Sequence, residues 1–269
     1  MAHAEIKSID TKAAQSAPGV VGVFTGSDIA ADKVGGPICG WVVPCRDGSS
    51  TKEPPHPLLA QGKVRFVGDA VAVVVAETME QAKSAAELID VDYNELTPVV
   101  DFVNADKGAQ IHEEVPNNCY FDWELGDESA TNKAIESAAK VVKLSVRNNR
   151  LVPNAMEPRS ALAEYDSLDE SYTLHTTSQN PHLTRLVLAA FMFAIPESKL
   201  RVIAPDVGGG FGSKIYVYIE EAVCVWASKK IGRPVKWTAD RTQAFLTDCH
   251  GRDHVNDVQL ALDDNNKII

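Results

Sequence analysis

The sequence predicts an α+β fold for this 269-residue chain on three observations. Short β-branched runs alternate with short helix patterns through its first third. The remainder places further strand-like runs around two longer helices. The last of these helices follows a glycine-rich loop and is apolar on most sides, so it belongs in an interior. A chain of this size can hold one large domain or two small ones with ample core.

Residues 4–9 alternate like a strand, and Asp10 is placed to cap a short helix that Pro18-Gly19 ends. A strand over 20–24 follows. Residues 33–62, with Gly35-Gly36-Pro37 and Pro54-Pro55-His56-Pro57, read as a long excursion with little regular structure. The segments 64–67 and 70–76 are a pair of strand runs about a Gly68-Asp69 turn. Thr78 and Gln81 make a capping box for a helix over 79–89, with Met79, Ala82, Ala86 and Ile89 on one face, and a strand over 91–93 closes the unit. This predicts a first domain over 1–103. Residues 104–127, acidic and carrying Pro116-Asn117-Asn118, have linker composition and place a second domain at 128–269.

In that second domain the pattern predicts a helix over 132–140 and strands over 141–148, 161–165 and 172–177. A helix enters at Pro181, where a missing N–H costs least, and runs to Ile195. A strand over 200–204 leads into the glycine loop, and a helix over 214–231 is stopped by Gly232. A strand over 235–238, a short helix after Asp240 and a strand over 254–262 follow. Residues 263–269 read as a turn entering another strand, so the sequence is expected to be a piece of a longer polypeptide.

Composition narrows the function. No apolar run approaches the roughly 18 residues of a membrane span. The net charge of −11 comes with no Lys/Arg cluster, which argues against nucleic acid as a partner. Five cysteines, Cys39, Cys45, Cys119, Cys224 and Cys249, include no Cys-x-x-Cys pair. That fits neither a disulfide framework nor a local four-cysteine cluster, so any iron–sulfur centre is expected on another chain. Met-Ala-His-Ala-Glu at the start lacks the basic and apolar regions of a secretory signal, and cytoplasm is the expected location.

The run from Asp206 to Lys214 sets four glycines around Phe211. Without a Cβ the backbone can approach a ligand closely, and successive N–H groups can converge on an anion or an oxo group. Gly208, Gly210 and Gly212 miss the dinucleotide pattern because Ser213 stands where its third glycine belongs, so no NAD site is expected. Glu157 and Arg159 are placed to pair across a turn. His182 opens a helix, where packing or capping is its expected role. His250 and His254 share a helical spacing but have no third ligand nearby, which predicts a solvated pair.

Asn154-Ala-Met-Glu-Pro-Arg159, Thr177-Ser-Gln-Asn-Pro-His182, the 206–212 loop, Gly232-Arg-Pro-Val-Lys-Trp237, Asp240-Arg241 and Gly251-Arg-Asp-His254 stand in a telling order. Together they resemble the large, molybdopterin-binding subunit of the xanthine dehydrogenase and aldehyde oxidase family of molybdenum hydroxylases, above all its aerobic carbon monoxide dehydrogenase branch. The resemblance implies an α/β hammerhead domain over 1–103 and the first part of a molybdenum cofactor-binding domain over 128–269. Gln179 matches the glutamine whose amide hydrogen-bonds an oxo ligand, and Gly210, Phe211 and Gly212 match the backbone on the metal's apical side. Since dithiolene sulfurs of the pterin hold the metal, Gln179 and Phe211 are expected beside molybdenum without bonding it. The family's catalytic glutamate is implied beyond Ile269, so no catalytic residue is expected here.

The cofactor implied is molybdenum–molybdopterin in the cytosine dinucleotide form, with copper bridged to molybdenum if a cysteine-bearing loop follows. The partners implied are an FAD-binding medium subunit and a 2Fe-2S small subunit, in a dimer of heterotrimers whose partners can bring it to the inner face of the membrane. Purine-oxidising members carry a glutamate where this chain has Ile215. An apolar side chain there disfavours xanthine and suits a very small or apolar substrate. The expected reaction is oxidation of carbon monoxide to carbon dioxide with oxygen from water. The alternatives are an aldehyde or N-heterocycle oxidoreductase and, from another class, a non-catalytic scaffold fragment.

Overall fold

The computed structural model describes residues 1–269. Its regular elements run β1 (Ala4–Asp10), α1 (Lys12–Gln15), β2 (Val20–Thr25), α2 (Gly26–Ala31), β3 (Lys63–Val64), β4 (Ala72–Ala76), α3 (Met79–Ala86) and β5 (Asp90–Glu95) in the first part of the chain. Then come α4 (Glu128–Ser137), β6 (Lys140–Asn148), β7 (Ser160–Asp166), β8 (Ser171–Thr176), α5 (Pro181–Leu186), β9 (Leu200–Ile203), α6 (Ile219–Ile231), β10 (Val235–Thr238), α7 (Arg241–Thr247) and β11 (His254–Leu262). They divide into two units, each discontinuous in sequence. Met1–Cys39, Pro55–Pro98 and Val152–His250 make the first; Gly40–Pro54, Val99–Leu151 and Gly251–Ile269 make the second.

In the first unit β1 lies antiparallel between β3 and β5, β2 pairs antiparallel with β4, and a four-stranded sheet runs β10-β7-β8-β9 with only β8–β9 parallel. The two strand runs about Gly68-Asp69 therefore do not pair with each other. Asp69 Oδ2 accepts the Arg65 N–H at 3.0 Å and closes the turn with a side chain, freeing β3 for β1 and β4 for β2. The Thr78–Gln81 capping box forms as its spacing demands, with bonds of 3.1 and 3.2 Å. Yet α3 stops at Ala86 and buries Ala85 in line with half-buried Ala82 and Ile89, leaving Met79 and Ala86 exposed. α2 is an element that the sequence reading missed. Its signal was Thr25 followed three residues later by Asp28, whose Oδ2 accepts the Thr25 N–H at 2.7 Å.

The expected helix over 214–231 begins later. Ser213–Ile215 form a single 3-10 turn, and α6 starts at Ile219, where Glu221 Oε2 accepts the Tyr218 N–H at 2.9 Å. Gly232, at φ +66°, ends it in the left-handed conformation that glycine adopts without cost. Beyond Leu186 the helix entered at Pro181 widens into a π turn over Val187–Met192, seen in the Phe193 N–H donating to Leu188 O at 2.9 Å.

Ala222 to Ser228 of α6 are all buried and pack on β7 and β8. Ala161, Ala163 and Leu174 share that core with Ile29, Leu58, Leu59 and Val75 from the first third of the chain. Each fully buried large aliphatic side chain contributes about 1.5–3 kcal/mol.

In the second unit α4 starts earlier than expected because Asp127, not a later residue, caps it and accepts the Ala130 N–H at 2.8 Å. β6 and β11 pair antiparallel in unbroken register from Lys140↔Leu262 to Asn148↔His254. Arg46 grips Asp122 through a two-pronged ion pair at 2.7 and 3.0 Å. Residues 104–127 carry only 3-10 turns, at Phe102–Lys107 and Pro116–Asn118. No helix is long and apolar enough to cross a membrane.

Candidate functional site

Three segments of the first unit meet around the glycine loop: the 154–159 turn ahead of β7, the 177–180 segment after β8, and residues 206–214 after β9. β7 and β8 are paired neighbours, so the ends of both point the same motifs toward one edge of the sheet. Gln179 Oε1 accepts the Gly212 N–H at 3.0 Å, and the Gln179 N–H donates to Lys214 O at 2.8 Å. The first bond fixes which way the amide faces. Its oxygen is engaged by the loop, so Gln179 has its two Nε2 hydrogens left to offer a ligand.

Gly210 lies directly under that side chain; a Cβ there would fall 2.2 Å from Gln179 Oε1. Gly208 meets Glu157 in the same way, with a Cβ position 2.5 Å from the Glu157 Cβ. The loop thus passes between two side chains that leave no room for a third. Gly212 takes φ +92° and Phe211 φ +51°, with the Phe211 ring 75% exposed. Glu157 Oε2 accepts the Gly208 N–H at 2.7 Å, while the amides of Gly209, Gly210 and Phe211 donate to no acceptor within the chain. Three successive unengaged amides beside a side-chain NH2 group form a donor surface suited to an oxo ligand or an anion, and they supply no metal-binding atom.

The supports of this surface are ionic. Lys214 is buried, and its Nζ donates to Glu157 O at 2.8 Å and Oε2 at 2.9 Å. Burial works to raise the Glu157 carboxyl, but the bonds from Lys214 and the Gly208 N–H outweigh it and hold its pKa below the ordinary value. Arg241 clamps the other side of the turn, donating to Asn154 Oδ1 at 2.7 Å, Ala155 O at 2.8 Å and Met156 O at 2.9 Å.

Glu157 and Arg159 do not pair, contrary to the sequence expectation. The chain bends at Met156–Glu157 ahead of β7, and the two side chains diverge: Glu157 turns to Lys214, and Arg159 is buried against Glu220 at 2.8 Å and Asp248 at 2.6 Å. Its guanidinium lies 3.6 Å from the Tyr218 ring centre. Burial alone would lower the Arg159 pKa; Glu220 and Asp248 reverse that and raise it.

His182 neither packs nor caps: it is exposed, and Asn180 Oδ1 accepts the Leu183 N–H as the cap of α5. His250 is exposed with Nε2 3.1 Å from Phe245 O, and His254 opens β11, so the two share no helix. The sequence reading named the loop, Gln179 and the turn, but missed Lys214 and Arg241 as their supports. A lysine placed inside a loop-to-helix junction and an arginine just after a helix cap were the available signals.

Two family models match the chain: the aldehyde oxidase and xanthine dehydrogenase a/b hammerhead domain over residues 1–97, and the molybdopterin cofactor-binding domain over residues 111–269. The carbon monoxide dehydrogenase large chain of Afipia carboxidovorans is 35% identical, covering 100% of this chain and 33% of its own length. The nicotine 6-hydroxylase large subunit of Paenarthrobacter nicotinovorans is 33% identical over 97% of this chain and 31% of its own. Among solved structures, quinoline 2-oxidoreductase from Pseudomonas putida 86 superposes with a TM-score of 0.86 at 35% identity, over 100% of this chain and 33% of that one. A Cu,Mo-CO dehydrogenase in its carbon monoxide reduced state gives 0.85 at 34% identity, over 100% and 34%. The chain spans about a third of the length of these relatives. Its hammerhead segment, its cofactor-binding segment and the donor-lined glycine loop agree: the chain belongs to the xanthine dehydrogenase and aldehyde oxidase family of molybdenum hydroxylases.

Proposed function

We propose that this chain presents Gln179 and the Gly210–Phe211–Gly212 backbone to a molybdopterin-bound molybdenum in an oxidoreductase that hydroxylates a small substrate with oxygen from water. The Gln179–Gly212 hydrogen bond carries the reading, because it orients an amide donor beside three unengaged backbone N–H groups. These residues fit the group: they offer hydrogen bonds to its oxygen ligands and no competing metal ligand. When bound, the cofactor supplies two-electron redox chemistry and activation of a water-derived oxygen. The chain's own contribution is to donate hydrogen bonds to that oxygen set, hold Phe211 exposed beside those donors and fix the loop's geometry.

Carbon monoxide is the leading substrate. Ile215, 39% exposed and bonded through its N–H to Gly212 O at 3.4 Å, brings apolar bulk and no charge to the loop's edge, which supports a small uncharged substrate. Similarity to nicotine- and quinoline-oxidising proteins favours a second reading, an N-heterocycle, and aldehydes belong to the same class. The proposal extends to the cytosine dinucleotide form of the cofactor, copper bridged to molybdenum, FAD-binding and 2Fe-2S partner subunits in a dimer of heterotrimers, and a cytoplasmic site with membrane association through those partners. It takes the hammerhead domain as 1–103 and the cofactor domain as starting at 128.

The test is to purify the intact protein that carries this chain, measure its molybdenum content, and follow dye reduction with carbon monoxide, an aldehyde and quinoline. Molybdenum-dependent turnover of carbon monoxide that Gln179→Ala lowers tenfold or more supports the proposal. Turnover of quinoline alone moves the substrate to the second reading, and absence of molybdenum leaves the scaffold reading in place.

A further inference from the structure

We propose that Lys214 and Glu157 act together as positioning residues for the ligand-facing donors, so that the Glu157 carboxylate, which bonds Lys214 and Gly208 but neither Gln179 nor Gly212, sets the bond between those two. The inference rests on the reading that the loop faces a bound group, but its geometry is independent of that group. Lys214 is the one residue joined to all three segments. Its Nζ donates twice to Glu157 of the 154–159 turn, its carbonyl accepts the Gln179 N–H at 2.8 Å, and it stands next to Ser213 and Gly212 in the loop. Glu157 completes the circuit from the other side by accepting the Gly208 N–H. A closed circuit of bonds results: Glu157 to Lys214, Lys214 to Gln179, Gln179 to Gly212, and Gly208 back to Glu157.

Burial gives the ion pair its authority. The Lys214 side chain is 1% exposed and the Glu157 side chain 36%. A buried ammonium needs its counter-ion and its hydrogen bonds together, and removing either partner leaves a charge that the surroundings cannot satisfy. Arg159 and Glu221 line the same cavity as Lys214 but are bonded elsewhere, Arg159 to Glu220 and Asp248 and Glu221 to Thr176 and Tyr218, so Glu157 is the carboxylate bonded to Lys214. Without Glu157 the ammonium is drawn toward water, and the Lys214 backbone that holds Gln179 moves with it. Gln179 Oε1 and the Gly212 N–H then separate, and the amide loses the bond that fixes its orientation.

The experiment is hydrogen exchange, resolved to single amides, on the intact protein that carries this chain, comparing parent, Glu157→Gln and Glu157→Ala. Gly208 loses its acceptor in Glu157→Ala under any hypothesis. The informative amide is Gly212, which donates to Gln179 and not to Glu157. We expect its exchange to rise at least tenfold in Glu157→Ala and less in Glu157→Gln, with Val223 to Ala227 of α6 unchanged. Unchanged protection at Gly212 overturns the inference, and a parallel rise in α6 overturns it too, by showing a general loss of stability. Glu157 is partly exposed, so these variants disturb less of the interior than a change at Lys214 itself, and the α6 amides report any general loss of stability. Molybdenum content, measured on the same samples, keeps the two claims apart. Deprotection of Gly212 in a protein that carries no molybdenum upholds the positioning role and removes the proposed cofactor, whereas a loaded protein with an unmoved Gly212 does the reverse.

Discussion

The indole Nε1 of Trp226 donates to Asp32 Oδ2 at 2.9 Å, joining residues 194 positions apart in sequence. The same oxygen accepts from Lys230 Nζ at 2.9 Å, and the Phe24 ring meets the Trp226 ring edge-on at 5.0 Å. A single tryptophan thereby fastens the first third of the chain to α6 by both a polar and an apolar contact. Trp226→Phe keeps the aromatic contact and loses the hydrogen bond, for an expected cost of about 1 kcal/mol. Trp226→Ala loses both and is expected to cost about 3–5 kcal/mol. Urea unfolding midpoints separate these outcomes. Equal losses for the two variants would show that the polar contact, not the packing, dominates.

The Asp32 carboxyl adds an acid limb to stability. The hydrogen bond from Lys230 first, and that from Trp226 second, hold its pKa below the ordinary 3.8. A lowered carboxyl pKa contributes stability above the unfolded-state value and loses it as pH falls through the folded-state value. Asp32→Asn is therefore expected to flatten the stability profile below about pH 4 and to leave its slope at pH 7 unchanged.

Glu221 has the opposite sign. Burial raises its pKa, and its partners agree with a neutral carboxyl: Thr176 Oγ has one hydrogen yet bonds both Ser160 O and Glu221 Oε1, so a protonated Glu221 supplies the second. A raised carboxyl pKa gives stability that is fully present below the unfolded-state value, near 4.5, and that is lost as pH rises through the folded-state value. Glu221→Gln is expected to melt at the same temperature or higher than the parent at pH 8, and to show a smaller fall between pH 5 and pH 8, in thermal unfolding followed by circular dichroism.

Arg159 joins two carboxylates and a hydroxyl below the surface. Arg159→Met leaves buried Asp248 without its ion-pair partner, for an expected loss of about 3–5 kcal/mol. Arg159→Lys recovers little of it, since an ammonium cannot bridge Glu220, Asp248 and Thr247 while lying flat on Tyr218. Full recovery by lysine, read from denaturation midpoints, would reduce the site to a point charge.

Two glycines separate folding from site geometry. A Cβ at Gly36 would fall 1.7 Å from the His56 carbonyl oxygen, which is backbone and cannot swing aside, so Gly36→Ala is expected to abolish cooperative melting. At Gly210 the obstacle is the far end of the Gln179 side chain. Gly210→Ala is expected to melt within about 1–2 kcal/mol of the parent while displacing Gln179, which crystallography would show directly.

Local chemistry was legible where it is local. The Thr78–Gln81 box, the Gly232 stop, the Asp240 cap of α7 and the bounds of β10 and β11 follow from neighbours in sequence. The face of α3 was misjudged because burial there depends on what β2 and β4 bring over it, not on the helix's own period. The start of α6 differs because apolar content runs on through Ile215 to Ile219 while the backbone at Tyr216 and Tyr218 is extended, a break that the side-chain pattern does not carry. At the site, Gln179 and the glycines were found by motif. Their supports were not, because a lysine's burial and an arginine's three acceptors depend on segments more than fifty residues away.

The core shared by Ile29, Leu58, Leu59 and Val75 with Ala222 to Ala227 has a consequence for how the chain is made. A ribosome delivers the first group roughly 150 residues before the second, and at about 5–20 residues per second that gap lasts on the order of ten seconds. Throughout it, Ile29, Leu58, Leu59 and Val75 lack their packing partners from α6. Synthesis of this chain therefore passes through an interval of obligatory apolar exposure, during which holdase chaperones have their natural point of engagement.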